Sequence, residues 1–207
     1  DGDYVQVAGD RDLGIPATSA RGEVEGETPT NTVSTYALDF TRKEILGGTF
    51  TAQGFYREFE SVFGGGTFGG FFNTGNEAPG ELTFDQSANN SNKTGLKLTY
   101  TNSDLPVDGL TVTGGLDYLA DETFQELIQT GRLWVPEVEF ESTAPFLQFD
   151  QLLLSDRLLL SAGVRQENAT LNVDDFSTIF SSGSTAVSGG KPDFSETLWN
   201  VGGSFEV

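Results

Sequence analysis

Segments of about ten residues that alternate apolar and polar side chains recur along this chain, joined in turn by very short polar links and by long links rich in Gly, Ser and acidic residues. A period of two is that of a β-strand, whose successive side chains point to opposite faces of a sheet. The clearest unit runs from Ala144 to Gln166, APFLQFDQLLLSDRLLLSAGVRQ, where Ser155-Asp156-Arg157 separates two such strands. From Leu158 onward the set Leu158, Leu160, Ala162, Val164 is wholly apolar, while Ser161, Gly163, Arg165 and Glu167 between and after them are small or charged. The same parity returns in Phe50, Ala52, Gly54, Tyr56 against Thr49, Thr51, Gln53, Arg57, and in Leu110, Val112, Leu116, Tyr118 against Thr111, Thr113, Asp117. Trp199, Val201, Phe205 and Val207 repeat it.

Two architectures write their strands this way. A strand crossing a bilayer shows lipid one alternate set and shows a wet barrel lumen the other. A soluble antiparallel sandwich hides its apolar set against a second sheet. The lengths of the joins favour the barrel. Arg42 to Leu46, Ser103 to Asp108 and Ser155-Asp156 are short, whereas 10–31, 61–92, 121–143 and 169–195 are long. Barrels place short turns on the periplasmic side and long loops outside the cell. A sandwich has no reason to sort its loops by length. The strands so delimited lie near 1–9, 32–42, 47–60, 93–103, 109–120, 144–154, 157–168 and 196–207, about eight in all. Pro106, Asp108 and Asp156 suit chain reversal. Tyr56, Tyr100, Tyr118 and Trp199 fall toward strand ends, where an amphipathic ring sits at a water–lipid interface. Ordinary packing in a soluble sheet is the alternative for each.

Composition narrows the function classes. The chain of 207 residues has no Cys, His or Met, carries 31 acidic against 11 basic residues, and contains 26 Gly and 17 Phe. Its net charge of -20 disfavours nucleic acid, which requires a basic surface. A hydrophobic content of 36% is low for two packed sheets and suits a barrel with a polar interior. Lack of cysteine excludes a disulfide scaffold and thiolate chemistry. No apolar run approaches the roughly 18 residues of a transmembrane helix, so strands must do any crossing. Asp1-Gly2-Asp3-Tyr4 opens in strand-like sequence without a signal peptide, which gives the expectation of a mature segment or a fragment. The strand Thr197 to Val207 shows no closing partner and favours the fragment.

The series Ala144-Pro145-Phe146-Leu147-Gln148-Phe149-Asp150-Gln151, then Leu154-Ser155-Asp156-Arg157, then Leu160-Ser161-Ala162-Gly163-Val164-Arg165, resembles the barrel of TonB-dependent outer-membrane receptors. Asn172-Val173-Asp174-Asp175-Phe176 and Gly189-Gly190-Lys191-Pro192-Asp193-Phe194, leading into Trp199-Asn200-Val201-Gly202, look most like the ferric-siderophore receptors of the aerobactin-type hydroxamate group. The likeness extends over about residues 110–207 and is architectural before that. It implies an all-β fold, an antiparallel transmembrane β-barrel of about 22 strands plugged by an N-terminal domain that contacts TonB. Residues 1–207 would then be part of the barrel domain, without the plug. The implied partners are a ferric siderophore, the TonB complex through the missing plug, and lipid of the outer membrane of a Gram-negative bacterium. A general porin and a secreted β-sandwich adhesin or lectin are the rival readings.

Few residues could carry chemistry, and the expectation is a transporter with no catalytic residues, no cofactor and no bound metal. Without His, the Ser-His-Asp and Asp-His arrangements are absent. The acidic pairs Asp174-Asp175, Glu137 with Glu139, and Asp121-Glu122 read as solvated surface, and Asp174-Asp175 lacks an EF-hand spacing for calcium. Gly64-Gly65-Gly66-Thr67-Phe68-Gly69-Gly70-Phe71-Phe72 is no phosphate loop, since no Lys-Ser or Lys-Thr follows. Its Phe71 and Phe72 are candidate ligand contacts on an external loop, with packing against neighbours as the alternative. Arg132 and Trp134, expected in the 121–143 loop, combine a cation with an indole suited to a carboxylate-bearing chelate; Arg132 paired with Glu137 or Glu139 is the plainer reading. Lys191 is a third cationic candidate. Asn89, Asn90 and Asn92 read as turn formers, and Asp39, Asp117, Arg57, Arg165 and Glu167 as lumen-facing charges.

Overall fold

In the computed structural model, which describes residues 29–63, 70–72, 84–129, 131–178 and 185–206, the chain is an antiparallel β meander with no helix among the described residues. Seven long strands lie side by side in sequence order: β1 (Thr30–Ile45), β2 (Gly48–Val62), β4 (Phe84–Asn102), β5 (Leu110–Leu127), β6 (Arg132–Leu153), β7 (Leu158–Val173) and β10 (Asp193–Phe205). The short β3 (Gly70–Phe72) continues the line of β2 along β4, pairing Gly70 with Gln86 where β2 stops at Val62 opposite Ala88. A separate two-stranded ribbon, β8 (Phe176–Ser177) with β9 (Ala186–Val187), lies between β7 and β10 in sequence. The strand expected at 1–9 lies outside the described residues.

Three short joins share one end of the sheet, as their lengths predict. At β1–β2, Ile45 pairs with Gly48 around Leu46 and Gly47, both at positive φ (50° and 79°). Two positive-φ residues make the mirror-image turn whose twist matches a hairpin. Tyr100 donates its hydroxyl to the carbonyls of Ile45 and Leu46, both at 3.0 Å, and so holds this turn against β4. The join between β4 and β5 closes through Gly109 at φ 72°, and the join between β6 and β7 through Leu154, Ser155 and Asp156, all at positive φ.

At the far end the expectation of long loops needs correction. Residues 121–143 are not a loop: β5 and β6 run on to Leu127 and Arg132 and are joined by a tight turn closed by the Gly131 N–H on the Leu127 carbonyl at 2.7 Å. The 61–92 join is likewise shorter than expected, because β4 begins at Phe84, so Asn89, Asn90 and Asn92 are strand residues and not turn formers. β7 also extends to Val173, and β10 starts at Asp193. The physical reason is common to all. On β4 both faces beyond Thr94 are polar, and on β6 and β7 the apolar set (Val138 and Phe140, Leu171 and Val173) lies on the face opposite the belt, so the belt's own alternation stops while backbone pairing continues.

The sheet is a single layer. Val62, Ala88, Leu127 and Ala144 are the buried apolar residues among those described, and three of them cluster at the far end of β2, β4 and β5. Trp199 is 77% exposed and Leu38 76% exposed. Among the described residues neither face is covered and β1 and β10 each have one unpaired edge, so the sheet is not closed into a barrel.

Candidate functional site

Strand register sorts the side chains onto two chemically distinct faces. On one face lie Tyr36, Leu38 and Phe40 of β1, Phe50, Ala52 and Tyr56 of β2, Leu96 and Leu98 of β4, Val112, Leu116 and Tyr118 of β5, Leu147 and Phe149 of β6, Leu160 and Val164 of β7, and Trp199, Val201 and Phe205 of β10. The alternating apolar sets read from the sequence fall on this face, apart from Val207, which lies outside the described residues.

The apolar belt crosses the sheet obliquely. The row that starts at Leu38 passes through Gly54, Leu96, Tyr118 and Thr143 to Asn168 and Ser195, leaving the belt on the way. The row that ends at Val201 passes Ala162, Phe149 and Val112 to Asn102. On β7 these rows meet Asn168 and Ala162, six residues apart (168 − 162), across the six steps between seven strands. The belt therefore slips by about one residue per strand, which for a 3.3 Å rise and 4.8 Å strand spacing inclines the strands by about 35° to its normal.

The opposite face carries the paired charges, with apolar side chains such as Val33, Phe59, Leu119 and Leu198 among them. Asp39 accepts a hydrogen bond from Gln53 at 2.7 Å. Arg165 bridges Asp117 across β6 and Glu167 on its own strand, the latter at 2.9 Å, and Ser142 donates to Glu167. Lys93 pairs with Asp121 at 2.8 Å, and Ser91 donates to the same carboxylate at 2.9 Å. Arg57 stands over the Phe59 ring at 5.9 Å, a cation–π contact. The five charges expected on the lumen side, Asp39, Arg57, Asp117, Arg165 and Glu167, share this face. Phe55 lies over Gly95 and Phe146 over Gly115, each ring resting where the partner strand has no Cβ.

At the far end the structure adds a site that the sequence reading missed. Gln86, fully buried, exchanges amide bonds with Gln129: the Gln86 backbone N–H donates to Gln129 Oε1, and Gln129 Nε2 donates to Gln86 Oε1, both at 2.7 Å. Gln86 also donates from Nε2 to the Phe63 carbonyl at 3.1 Å and accepts from the Ile128 N–H at 2.8 Å. The pair ties the tips of β2, β4 and the β5–β6 turn together. Two glutamines separated by 43 positions carry no local signal.

The candidate ligand contacts separate in space. Arg132 opens β6 and donates to the Thr178 carbonyl at 2.6 Å, which links the β5–β6 turn to the β7–β10 connection. It and Trp134 thus sit on a strand, not on the loop expected for them. Phe71 and Phe72 belong to β3, paired with Asp85 and Phe84. Lys191 is exposed just before β10, next to Pro192, whose carbonyl accepts from Leu171 at 3.0 Å. Asp175 accepts from the Gly189 N–H at 2.7 Å, so one of the two adjacent acids serves the backbone. Burial raises the Glu137 carboxyl above its ordinary value, and Glu122, Glu139 and Asp174 add to the rise. No group of three metal-binding side chains occurs among the described residues.

No protein-family model matches this chain, and no solved structure matches it. The likeness to TonB-dependent receptors rests on the sequence motifs alone.

Proposed function

We propose that this chain is part of the wall of an outer-membrane β-barrel, the barrel of a TonB-dependent receptor that imports a ferric siderophore. The observation that carries the membrane reading is the one-sidedness of a single-layer sheet. One face bears an uncovered, oblique apolar belt edged by Tyr36, Tyr56 and Tyr118; the other bears paired charges. Lipid suits the first and a wet lumen the second. A sandwich would need a second layer over the belt. The siderophore assignment comes from the motifs around Ala144–Arg165 and Gly189–Gly202, and the far-end tips carrying Arg132, Trp134 and Lys191 are where a carboxylate-bearing chelate would be met.

Uptake of a radio-iron-loaded hydroxamate siderophore tests this reading, in a Gram-negative strain stripped of its own receptors and expressing the full-length protein. Uptake that disappears in an otherwise equal strain without TonB is the expected result. Uptake of small solutes independent of TonB would replace the receptor with a porin. Recovery of the protein in the soluble fraction without detergent would overturn the barrel itself.

A further inference from the structure

The face opposite the belt carries an apolar stripe of its own. A row of register partners runs from Phe55 over Gly95, through Leu119, Ser142 and Ala169 to Phe194, with one hydroxyl and no charge. On β6 and β7 the pairs Phe140–Leu171 and Val138–Val173 widen it toward the far end. These side chains point away from the belt, and Phe194 is 58% exposed, with no second layer over the stripe among the described residues. Connected apolar surface left open on a wet face marks a contact site. At the Phe55 end stand two cations to spare. Of the four that β2, β4 and β7 bring to this face, Lys93 is held by Asp121, and Arg165 by Asp117 and Glu167. Arg57 and Lys97, which flank the row, make no ion pair among the described residues. A hollow of about 400 Å³ opens there, lined by Asp39, Gln53, Phe55 and Lys97 among others, and Gln53 already bonds the Asp39 carboxylate.

We infer that this stripe binds the hydrocarbon tail of an amphiphilic anion, whose carboxylate lies at the Phe55 end beside Lys97 and Arg57. The inference rests on the receptor reading, which makes this face a wet lumen, and adds to it the class of chelate imported: one bearing an acyl tail as well as a free carboxylate. Two features choose this occupant. Charge complementarity sets the polar end, because an anion gains charge-assisted hydrogen bonds from cations that no carboxylate of the described residues engages. Length sets the apolar end. From Lys97 on β4 to Phe194 on β10 the sheet crosses four strand spacings, about 19 Å, which makes a track for an extended tail. Leu119 lies on that track one strand away from Lys97, and Phe140 and Leu171 form its far-end bank. Each methylene withdrawn from water there strengthens binding, while a fully hydrophilic chelate gains only the cation contact.

A ferric hydroxamate with one free carboxylate, made with and without a decanoyl tail, tests this on the full-length protein in lipid nanodiscs, with radio-iron binding to empty nanodiscs subtracted. The acylated form is expected to bind more tightly by about tenfold or more. Phe140→Ser and Leu171→Ser should each remove most of that difference and leave the affinity for the unacylated form within about twofold. Arg57→Gln together with Lys97→Gln should weaken both forms by a similar factor, and unchanged affinity in that double variant would overturn the inference at its anionic end. Equal affinity of the unaltered protein for the two forms would overturn it as well, without any variant having to fold, and would leave the receptor reading standing. A preference for the acylated form that survives both serine substitutions would also sink it, since the tail then lies in the bilayer or elsewhere on the wall. If neither form binds and iron uptake does not depend on TonB, the receptor reading fails and the inference falls with it.

Discussion

Gln86 has no exposed surface, and its side chain and backbone are held by Gln129, Phe63 and Ile128. An amide in such a place stabilises only while its partners remain, because a buried donor or acceptor left unpaired bears its full desolvation cost. Gln129→Leu is expected to weaken the tip by about 1–3 kcal/mol and to speed amide exchange at Ile128 and Gly131, with little change at the short-turn end. Glu137 supplies a pH-dependent counterpart. Its folded carboxyl is raised, by burial first and then by Glu122, Glu139 and Asp174, above the ordinary 4.5. The folded tip therefore favours the protonated form: the stabilisation is complete below the ordinary value and is lost as pH rises through the raised one. Protection at the β5–β6 tip, taken as the exchange rate relative to the intrinsic rate at the same pH, should be greater at mildly acidic than at neutral pH, and Glu137→Gln should flatten that difference. What the sequence makes legible at this scale is parity. Asp39, Arg57, Asp117, Arg165 and Glu167 fall on one face because period two is a local property. The Gln86–Gln129 pair and the Arg132–Thr178 bond join distant positions, and nothing local announces them.

Strands differ from one another mainly in how far they outrun the belt. The short-turn end was legible because the joins at Arg42–Leu46, Ser103–Asp108 and Ser155-Asp156 sit beside sharply alternating segments, although the first two turns reach one residue further, to Gly47 and Gly109. The far end was not, because Asn89–Asn92 are polar on both faces while their ladder persists, and the alternation of Glu137–Glu141 has its apolar members, Val138 and Phe140, on the face opposite the belt. β-pairing there is held by backbone hydrogen bonds and by side-chain links such as Asn172 to Glu139 at 2.7 Å, alongside the Phe140–Leu171 and Val138–Val173 pairs. The two faces of a strand should respond oppositely to charge. Leu160→Arg, in the belt, is expected to cost about 2–4 kcal/mol for folding into lipid vesicles, whereas Thr51→Arg on the polar face should stay within about 0.5 kcal/mol. Urea titrations of both variants in the same vesicles check this, and equal losses would contradict the facing assigned here.

Taken whole, the sheet has an orientation written into its register. A belt that slips one residue per strand can be level in a bilayer only if the strands lean by about 35° from the membrane normal. Polarised infrared dichroism of oriented bilayers is expected to return that tilt, and strands lying flat on the membrane would contradict it. The order of the strands has a mechanical corollary. Among the described residues each long strand pairs only with the long strands before and after it in the chain, so the backbone ladder can open one strand at a time. A tether pulling on Glu206 should peel the wall in order from β10, then the β6–β7 hairpin, then β4–β5, as discrete steps on a force–extension curve. The largest resistance should come at the β5–β6 tip, where Gln86 and Arg132 cross-tie neighbouring hairpins.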